Sequence, residues 1–260
     1  MKKNSGVLMP ILSLPNRYGC GDFGQSAYDF IDRLKDTGFS IWQILPLQPL
    51  GFGYSPYQPY SSVAMDELYI SLDNLVEEEL LTNDEVQPLH EDSTKIYYKE
   101  VREYKNELLE KAYSRFKENA SFKKFKKAEW VKNYAIFISL KKKNHLRPWI
   151  EWEEAEKFYP EKKELDLKEF EKQINYEIFV QYILLKQWKA LKKYANRNKI
   201  KILGDIPFYV GQDSEDVWLH KDMFLLHEQG SPKFIAGCPP DIFASTGQRW
   251  GNPIYDWEAI

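Results

Sequence analysis

Cysteine is nearly absent from this chain, with two in 260 residues, Cys20 and Cys238. They lie far apart and in no metal or redox spacing. A disulfide framework is therefore not expected, and the pair reads as free thiols of a reducing cytoplasm. Histidine is equally scarce. His90, His145, His220 and His227 show no ligand spacing such as H-E-x-x-H, so the sequence offers no metal centre. Neither sign of charge dominates: the net charge of -3 provides no basic face for nucleic acid or an anionic membrane. Long apolar runs are missing too, since none approaches the roughly 20 residues needed to span a bilayer. The opening, MKKNSGVLMPILSLP, carries a short basic run, but Pro10 and Pro15 interrupt its apolar stretch and no small-residue cleavage site follows. No signal peptide is expected.

What the chain has in excess is aromatic residues, 15% of the total, with 8 Trp and 17 Tyr. Many stand in Gly/Pro-rich segments, where a core cannot absorb them all. The order of elements begins as strand, helix, strand. Val7–Leu12 is a short apolar run bounded by Gly6 and Pro15-Asn16, and reads as a buried strand. Ala27, Phe30, Ile31 and Leu34 make an amphipathic helix, with Gly38 where its C-terminal cap belongs. Ser40–Leu47 reads as a second, parallel strand, which completes one βαβ unit. From about Asp66 the chain turns Lys/Glu-rich with helical periodicity, as in Trp130, Tyr134, Phe137 and Ile138. Its lysine runs, Lys123-Lys124 and Lys141-Lys142-Lys143, are expected to be solvated helix faces. A long apolar stripe over Asn175–Asn198, with Asn175 as N-cap, then leads into a third strand, KILGDIPF. The expected organisation is 1–65 for the first βα units, 66–174 for a helical insertion and 175–260 for the continuation. This α/β order suits the start of a (β/α)8 barrel, of which only three strands are convincing.

Several segments carry candidate chemistry, each with a plainer alternative. GCGDFG (Gly19–Gly24) matches G-x-G-x-x-G, but six residues including Pro15 separate it from the strand, and no acidic residue ends the second strand. Nicotinamide or flavin binding is disfavoured, and Asp22 is expected to brace the loop. Asp205, near the end of the third strand, would face an active-site mouth in a parallel barrel, or else bond to loop amides. GFGYSPYQPY offers Tyr54, Tyr57 and Tyr60, whose flat faces and rim hydroxyls suit sugars. The alternative is a proline-braced turn with its tyrosines packed inward. The irregular loop Ala236–Trp257 holds Asp241, Phe243, Gln248, Arg249, Trp250 and Asn252, a set suited to a polyhydroxylated ligand or to a packed Ω-loop.

Taken in order, SLPNRYGCGDFG, WQILPLQPLGFGYSPYQPYSS, GDIPFYVGQDSEDVW and AGCPPDIFASTGQRWGNPIYDW resemble the amylomaltase (4-α-glucanotransferase) family of glycoside-active enzymes. The resemblance covers both ends of the chain, and the charged insertion is the divergent part. It implies a (β/α)8 barrel with helical insertions and no metal or organic cofactor. The implied activity is transfer of α-1,4-glucan segments between maltooligosaccharides, with maltooligosaccharides, glucose and α-1,4-glucan as the implied partners. The mechanism is retaining, through a carboxylate nucleophile and a second carboxyl group that serves as acid, then base. By position, Asp205 resembles the aspartate that holds the donor sugar. Tyr57 resembles the tyrosine stacking beneath that sugar, with Ser55 nearby. Asp241 and Trp250 match a mobile loop over the cleft that helps exclude water, and Arg249 and Asn252 accompany them. Tyr54 matches a glucan-binding surface.

One departure is large. The nucleophile of this family lies in an R-I-D-H segment beyond WGNPIYDW, with the acid/base Glu later still, and residues 1–260 contain neither. The expectation is therefore a sugar-binding portion whose reacting carboxylates lie beyond Ile260 and which is inactive alone. A non-catalytic α-glucan-binding remnant is the alternative.

Overall fold

A computed structural model describes residues 4–90 and 93–260. The chain folds as two compact units, interleaved in sequence: residues 1–47, 65–128 and 178–205 form one, and 48–64, 129–177 and 206–260 the other. The 66–174 insertion expected as a single subdomain is thus shared between them.

The first unit is built on a three-stranded parallel sheet in the order β1 (Gly6–Leu8), β2 (Ile41–Gln43) and β3 (Lys201–Leu203). Val7 pairs with Trp42 and Trp42 with Ile202, so the expected βαβ unit and its third strand are present. The strands are much shorter than the apolar runs suggest. Pro10 has no N–H to give the ladder, and Ile11–Ser13 turns into one 3-10 turn that buries Ile11 and Leu12. Pro46 limits β2 in the same way, although the ladder reaches one bond further, from Ile44 N to Leu203 O at 3.0 Å. Between β1 and β2 lies α1 (Gln25–Asp36), which buries Ala27, Ile31 and Leu34. Phe30 meets the buried Trp42 edge-on at 5.0 Å. The helix closes at Gly38, whose φ of +80° lets the chain reverse while Phe39 N reaches back to Leu34 O.

The helices of this unit between β2 and β3 are α2 (Leu72–Glu77), α3 (Tyr98–Arg115) and α4 (Ala120–Phe125). The 27-residue α8 (Glu171–Arg197) follows the helices of the second unit and contributes its residues from 178 on. Asn175 was expected to cap α8, but the helix starts four residues earlier. A turn over Leu167–Phe170, capped by Asp166, feeds directly into it, so Asn175 is interior. Two glutamines six residues apart on α8 hold the irregular segment 65–71. Gln181 bonds both backbone groups of Met65, and Gln187 both those of Ser71, at 2.8–3.1 Å. These pairs satisfy backbone groups that no sheet or helix serves.

The second unit has its own core of Phe137 and Leu140 from α5 (Glu129–Lys143), Trp149, Trp152, Phe170, Val210, Val217, Trp218 and Phe224. Short helices α6 (Glu154–Lys157), α7 (Tyr159–Lys162) and α9 (Glu215–Leu219) enclose it. Each buried indole N–H has a backbone acceptor: Gln212 O for Trp149, Arg147 O for Trp152 and Glu156 O for Trp218. This tryptophan core explains why the insertion divides. Phe137 and Leu140 of α5 are buried in this core.

The remaining feature corrects the expectation of an irregular loop over Ala236–Trp257. Ile235–Cys238 (β4) and Gln248–Pro253 (β5) form an antiparallel hairpin with a bulge near Ile235 and a tip over 239–247. Gly247 makes it possible: its φ is +73°, and a Cβ there would stand 2.6 Å from Cys238 O.

Candidate functional site

The second unit brings together two of the segments singled out in the sequence. The tyrosine loop is pinched at its base by a bridge between Leu50 and Pro59 and by a bond from Tyr60 N to Pro49 O at 3.0 Å. The two limbs touch so closely that a Cβ on Gly51 would lie 2.2 Å from Gln58 O. At the tip, Ser55 Oγ accepts from Tyr57 N at 3.3 Å, a serine turn that orients the following ring. Tyr54 holds a left-handed backbone, with φ of 56°, a conformation a bulky residue adopts only under constraint.

The structure separates the three tyrosines. Tyr54 and Tyr57 are 42% and 47% exposed. Tyr60 turns inward, packs on the tryptophan core and covers the buried Lys141 ammonium at 5.0 Å from its ring centre. Lys141, in a run expected on a solvated helix face, is instead buried and paired with Asp213, and burial lowers its pKa despite that partner.

Trp250 lies in β5, half-buried. Its ring is edge-on to Phe208 at 6.4 Å and tilted against Tyr209 at 6.3 Å; Tyr209 stacks on Tyr255, and Tyr255 on Phe224. Its indole N–H donates to Gln248 Oε1 at 3.0 Å. Gln58 connects the tyrosine loop to this hairpin. Its Nε2 donates to Trp250 O at 2.7 Å and to Asn252 Oδ1 at 3.2 Å. Asn252, expected among the ligand-facing residues, is 4% exposed, and its Nδ2 donates to Val210 O at 2.8 Å. Its amide is spent on holding the site from behind.

Arg249 is exposed on the same strand, one residue from Trp250. Asp241 is exposed at the hairpin tip, where its Oδ1 accepts from Phe243 N at 2.9 Å and Ala244 N at 2.7 Å. That Asx turn lifts Ile242 and Phe243 outward to 92% and 87% exposure, leaving two large apolar side chains in solvent.

Asp205 belongs to the first unit. It follows β3 directly, after Gly204, and is half-buried at the C-terminal end of the parallel sheet. The GCGDFG loop, also in that unit, is braced from inside. Asp22 is fully buried, accepting from Gly24 N at 2.9 Å, Asn16 Nδ2 at 3.0 Å and the buried Lys105 Nζ at 3.4 Å. Lys105 Nζ donates further to Leu68 O and Ile70 O, at 2.6 and 2.8 Å. Burial raises the Asp22 pKa, and Lys105 and the Gly24 amide oppose that rise. Cys20 in the same loop is buried and unpaired, its thiol pushed up to about 11 by burial. Cys238 is likewise unpaired. Among the described residues, no helix is long and apolar enough to cross a membrane.

Sequence reading missed Gln58, Ser61, Ser62, Glu215 and Asp216. Ser61 Oγ donates to Glu215 Oε2 at 2.6 Å, and Ser62 N to Asp216 Oδ2 at 2.9 Å, each across 154 residues of sequence. Glu215 is 4% exposed and its carboxyl is pushed up to about 8 by burial, with the Ser61 hydrogen bond opposing and Asp216 adding to the rise. From sequence, Ser214-Glu215-Asp216 reads only as a helix start, a role it also has, since Ser214 Oγ accepts from Val217 N.

With this geometry in place, the chain was compared with known proteins. A family profile described as 4-alpha-glucanotransferase matches residues 9–260. The 4-alpha-glucanotransferase of Clostridium butyricum is 44% identical over 96% of this chain and 53% of its own length. That of Aquifex aeolicus is 40% identical over 98% of this chain and again 53% of its own. The amylomaltase of Streptococcus agalactiae, solved in complex with acarbose, superposes with a TM-score of 0.92 at 37% identity, over 99% of this chain and 54% of that one. A Corynebacterium glutamicum amylomaltase shares the fold, with a TM-score of 0.73 at 17% identity. The chain spans about half the length of the curated relatives it matches. Over that span, the matched residues and the closeness of the backbone agree: the chain belongs to the 4-alpha-glucanotransferase family.

Proposed function

We propose that these residues form the donor-binding portion of a 4-α-glucanotransferase, which moves α-1,4-glucan segments between maltooligosaccharides, with glucose among its partners. The observation that carries this reading is the Gln58 link. It ties the residue next to Tyr57 to the backbone of Trp250 within one compact unit, with Tyr57 exposed and Trp250 half-buried. Two such rings suit the apolar faces of consecutive glucose residues, and polar groups at their rims suit the hydroxyls. Within this unit Ser55, Arg249 and Asp241 supply those groups, Tyr54 extends the surface, and Asn252 supports it; Asp205, in the first unit, is assigned to sugar binding on the resemblance alone. The acarbose complex of the streptococcal amylomaltase is consistent with an α-glucan ligand.

The same proposal extends to the fold. Leu8, Gln43 and Leu203 lie in one register row across the sheet, and both leucines are about half exposed. Such a row is what the inner layer of a (β/α)8 barrel requires, with further strands covering it. The reaction is retaining, and its nucleophile and acid/base are carboxylates from sequence outside residues 1–260. The hairpin tip contributes by keeping water from the glycosyl intermediate, which favours transfer over hydrolysis.

Calorimetric titration of the 260-residue chain with maltoheptaose tests the reading. Saturable binding that weakens at least tenfold in Asp205→Ala and in Trp250→Ala is expected, with no glucose released from maltotriose above a blank. Absence of binding at millimolar sugar would remove the glucan assignment. Glucose release that disappears in Asp205→Ala would remove the claim that the reacting groups lie elsewhere.

A further inference from the structure

The limb of the tyrosine loop that follows Tyr57 is fixed at five successive residues, all within the second unit. Gln58 bonds Trp250 O and Asn252 Oδ1 across more than 190 residues of sequence. Pro59 O lies where a Cβ on Gly211 would approach to 3.1 Å, so the limb runs tightly along the segment before α9. Tyr60 O accepts from Glu215 N at 2.8 Å. Ser61 donates its hydroxyl to Glu215, and Ser62 donates both its backbone N–H and its hydroxyl to Asp216. Asn252 closes the circuit by donating to Val210 O.

Two of these groups are too deeply buried to be incidental. Asn252 and Glu215 are each 4% exposed, and an unpaired amide or carboxyl at that depth would cost stability. Neither side chain has an outer face to offer a sugar. What they accomplish is to make the loop, the segment 206–219 and the hairpin one rigid part.

We propose that Gln58, together with the Ser61–Glu215 and Ser62–Asp216 pairs, is a positioning device that fixes the Tyr57 ring relative to the Trp250 ring, so that a long glucan meets one preset platform. This rests on the glucan-binding reading above. The chemistry follows from where each element is attached. Tyr57 is on a pinched loop that could swing about its base, and Trp250 is on a two-stranded hairpin, which is marginal alone. Without the Gln58 link the loop and the hairpin could shift relative to each other, and fixing their relative position on binding would be subtracted from affinity. Fixed through Gln58, the two are ordered beforehand, as a binding constellation supported by surrounding hydrogen bonds requires. A short ligand that covers one ring gains nothing from this, whereas a ligand that covers both does.

The test compares Gln58→Leu and Gln58→Glu with the unaltered chain. The glutamate keeps the shape but loses both donors and faces two acceptor oxygens, so packing and hydrogen bonding are separated. Titrations with maltose and maltoheptaose are read beside hydrogen exchange at amides 48–57. Both variants are expected to weaken maltoheptaose about tenfold and maltose less than about threefold, with faster exchange in the loop and unchanged exchange in α5. Equal losses for both sugars, or none, would overturn the proposal while leaving glucan binding intact. Weakening in Gln58→Leu alone would also overturn it, since packing would then account for the effect. If the unaltered chain bound neither sugar, the functional reading would fail and this proposal with it.

Discussion

Replacing Glu215 by glutamine should make the protein more stable in base while leaving it nearly unchanged in mild acid. The carboxyl is buried against Ser61, and burial moves it from an ordinary 4.5 up to about 8. For an acid raised on folding, the native state retains a proton that the unfolded chain has already released. Stability therefore falls as pH rises from about 4.5 to about 8, at roughly 1.4 kcal/mol per pH unit. Allowing for the approach to the upper limit, the loss between pH 6 and pH 8 is on the order of 2 kcal/mol. Glutamine carries no charge at any pH, and its Oε1 still accepts from Ser61. Asp22, Asp66 and Asp213 are also raised by burial and contribute slopes of the same sign, but they are common to both proteins and cancel in the difference. Urea melts of the two at pH 6 and pH 8, followed by tryptophan fluorescence, measure that difference. The midpoints should be close at pH 6 and separate at pH 8, with the variant the more resistant. Parallel pH dependences would mean that Glu215 is ionised at little cost, which would refute the burial argument. A variant that loses stability relative to the parent as pH rises would reverse its sign.

Lys105→Met should destabilise the first unit by about 3–5 kcal/mol, because it leaves Asp22 buried without its ammonium partner. The pair Asp22→Asn with Lys105→Met should recover much of that loss, and denaturant melts of the three proteins check it; a single-variant cost below about 1 kcal/mol would contradict the bracing role. Two glycines with similar positive φ should respond differently to alanine. At Gly38, with φ of +80°, an added methyl carbon would meet nothing within 4 Å, so only backbone conformation is at stake, about 1 kcal/mol. At Gly230, φ is +92° and the methyl would stand 2.2 Å from the Trp149 ring, so the cost should exceed about 3 kcal/mol; equal melting temperatures for the two variants would contradict this.

How far the sequence could be read depended on the range of the interactions involved. The α1 stripe and its stop at Gly38 are local, and both were legible. The parallel order of β1, β2 and β3 followed from element order, but strand length did not, because prolines at positions 10 and 46 end the ladders inside apolar runs. The start of α8 was misplaced because Asn175 has the chemistry of a cap while the turn at Leu167–Phe170 carries the helix past it. The β4–β5 hairpin was hidden because its sequence lacks apolar alternation, and its pairing depends on a bulge and on Gly247. The division of the insertion was hidden as well. Periodicity shows that α5 has a buried side but not which tryptophans bury it.

The segment Gln248–Asn252 shows why motif reading could not separate exposed polar residues from a buried one. A surface proposed to bind glucan must leave aromatic faces open, so burying those faces cannot be what holds it in place. It has to be fixed from the opposite side, by polar groups whose hydrogen bonds are satisfied internally. Along β5 the two duties are carried by neighbours: Arg249 is exposed and Trp250 half-buried, while Asn252 is buried with both ends of its amide engaged. The same split divides the tyrosine loop, where Tyr57 is exposed and Gln58 reaches back to the hairpin. Polar residues on either side of such a segment look alike in sequence, because a side chain that binds a hydroxyl and one that binds a backbone carbonyl use the same groups. Only the partner's position distinguishes them, and here that partner lies more than 190 residues away.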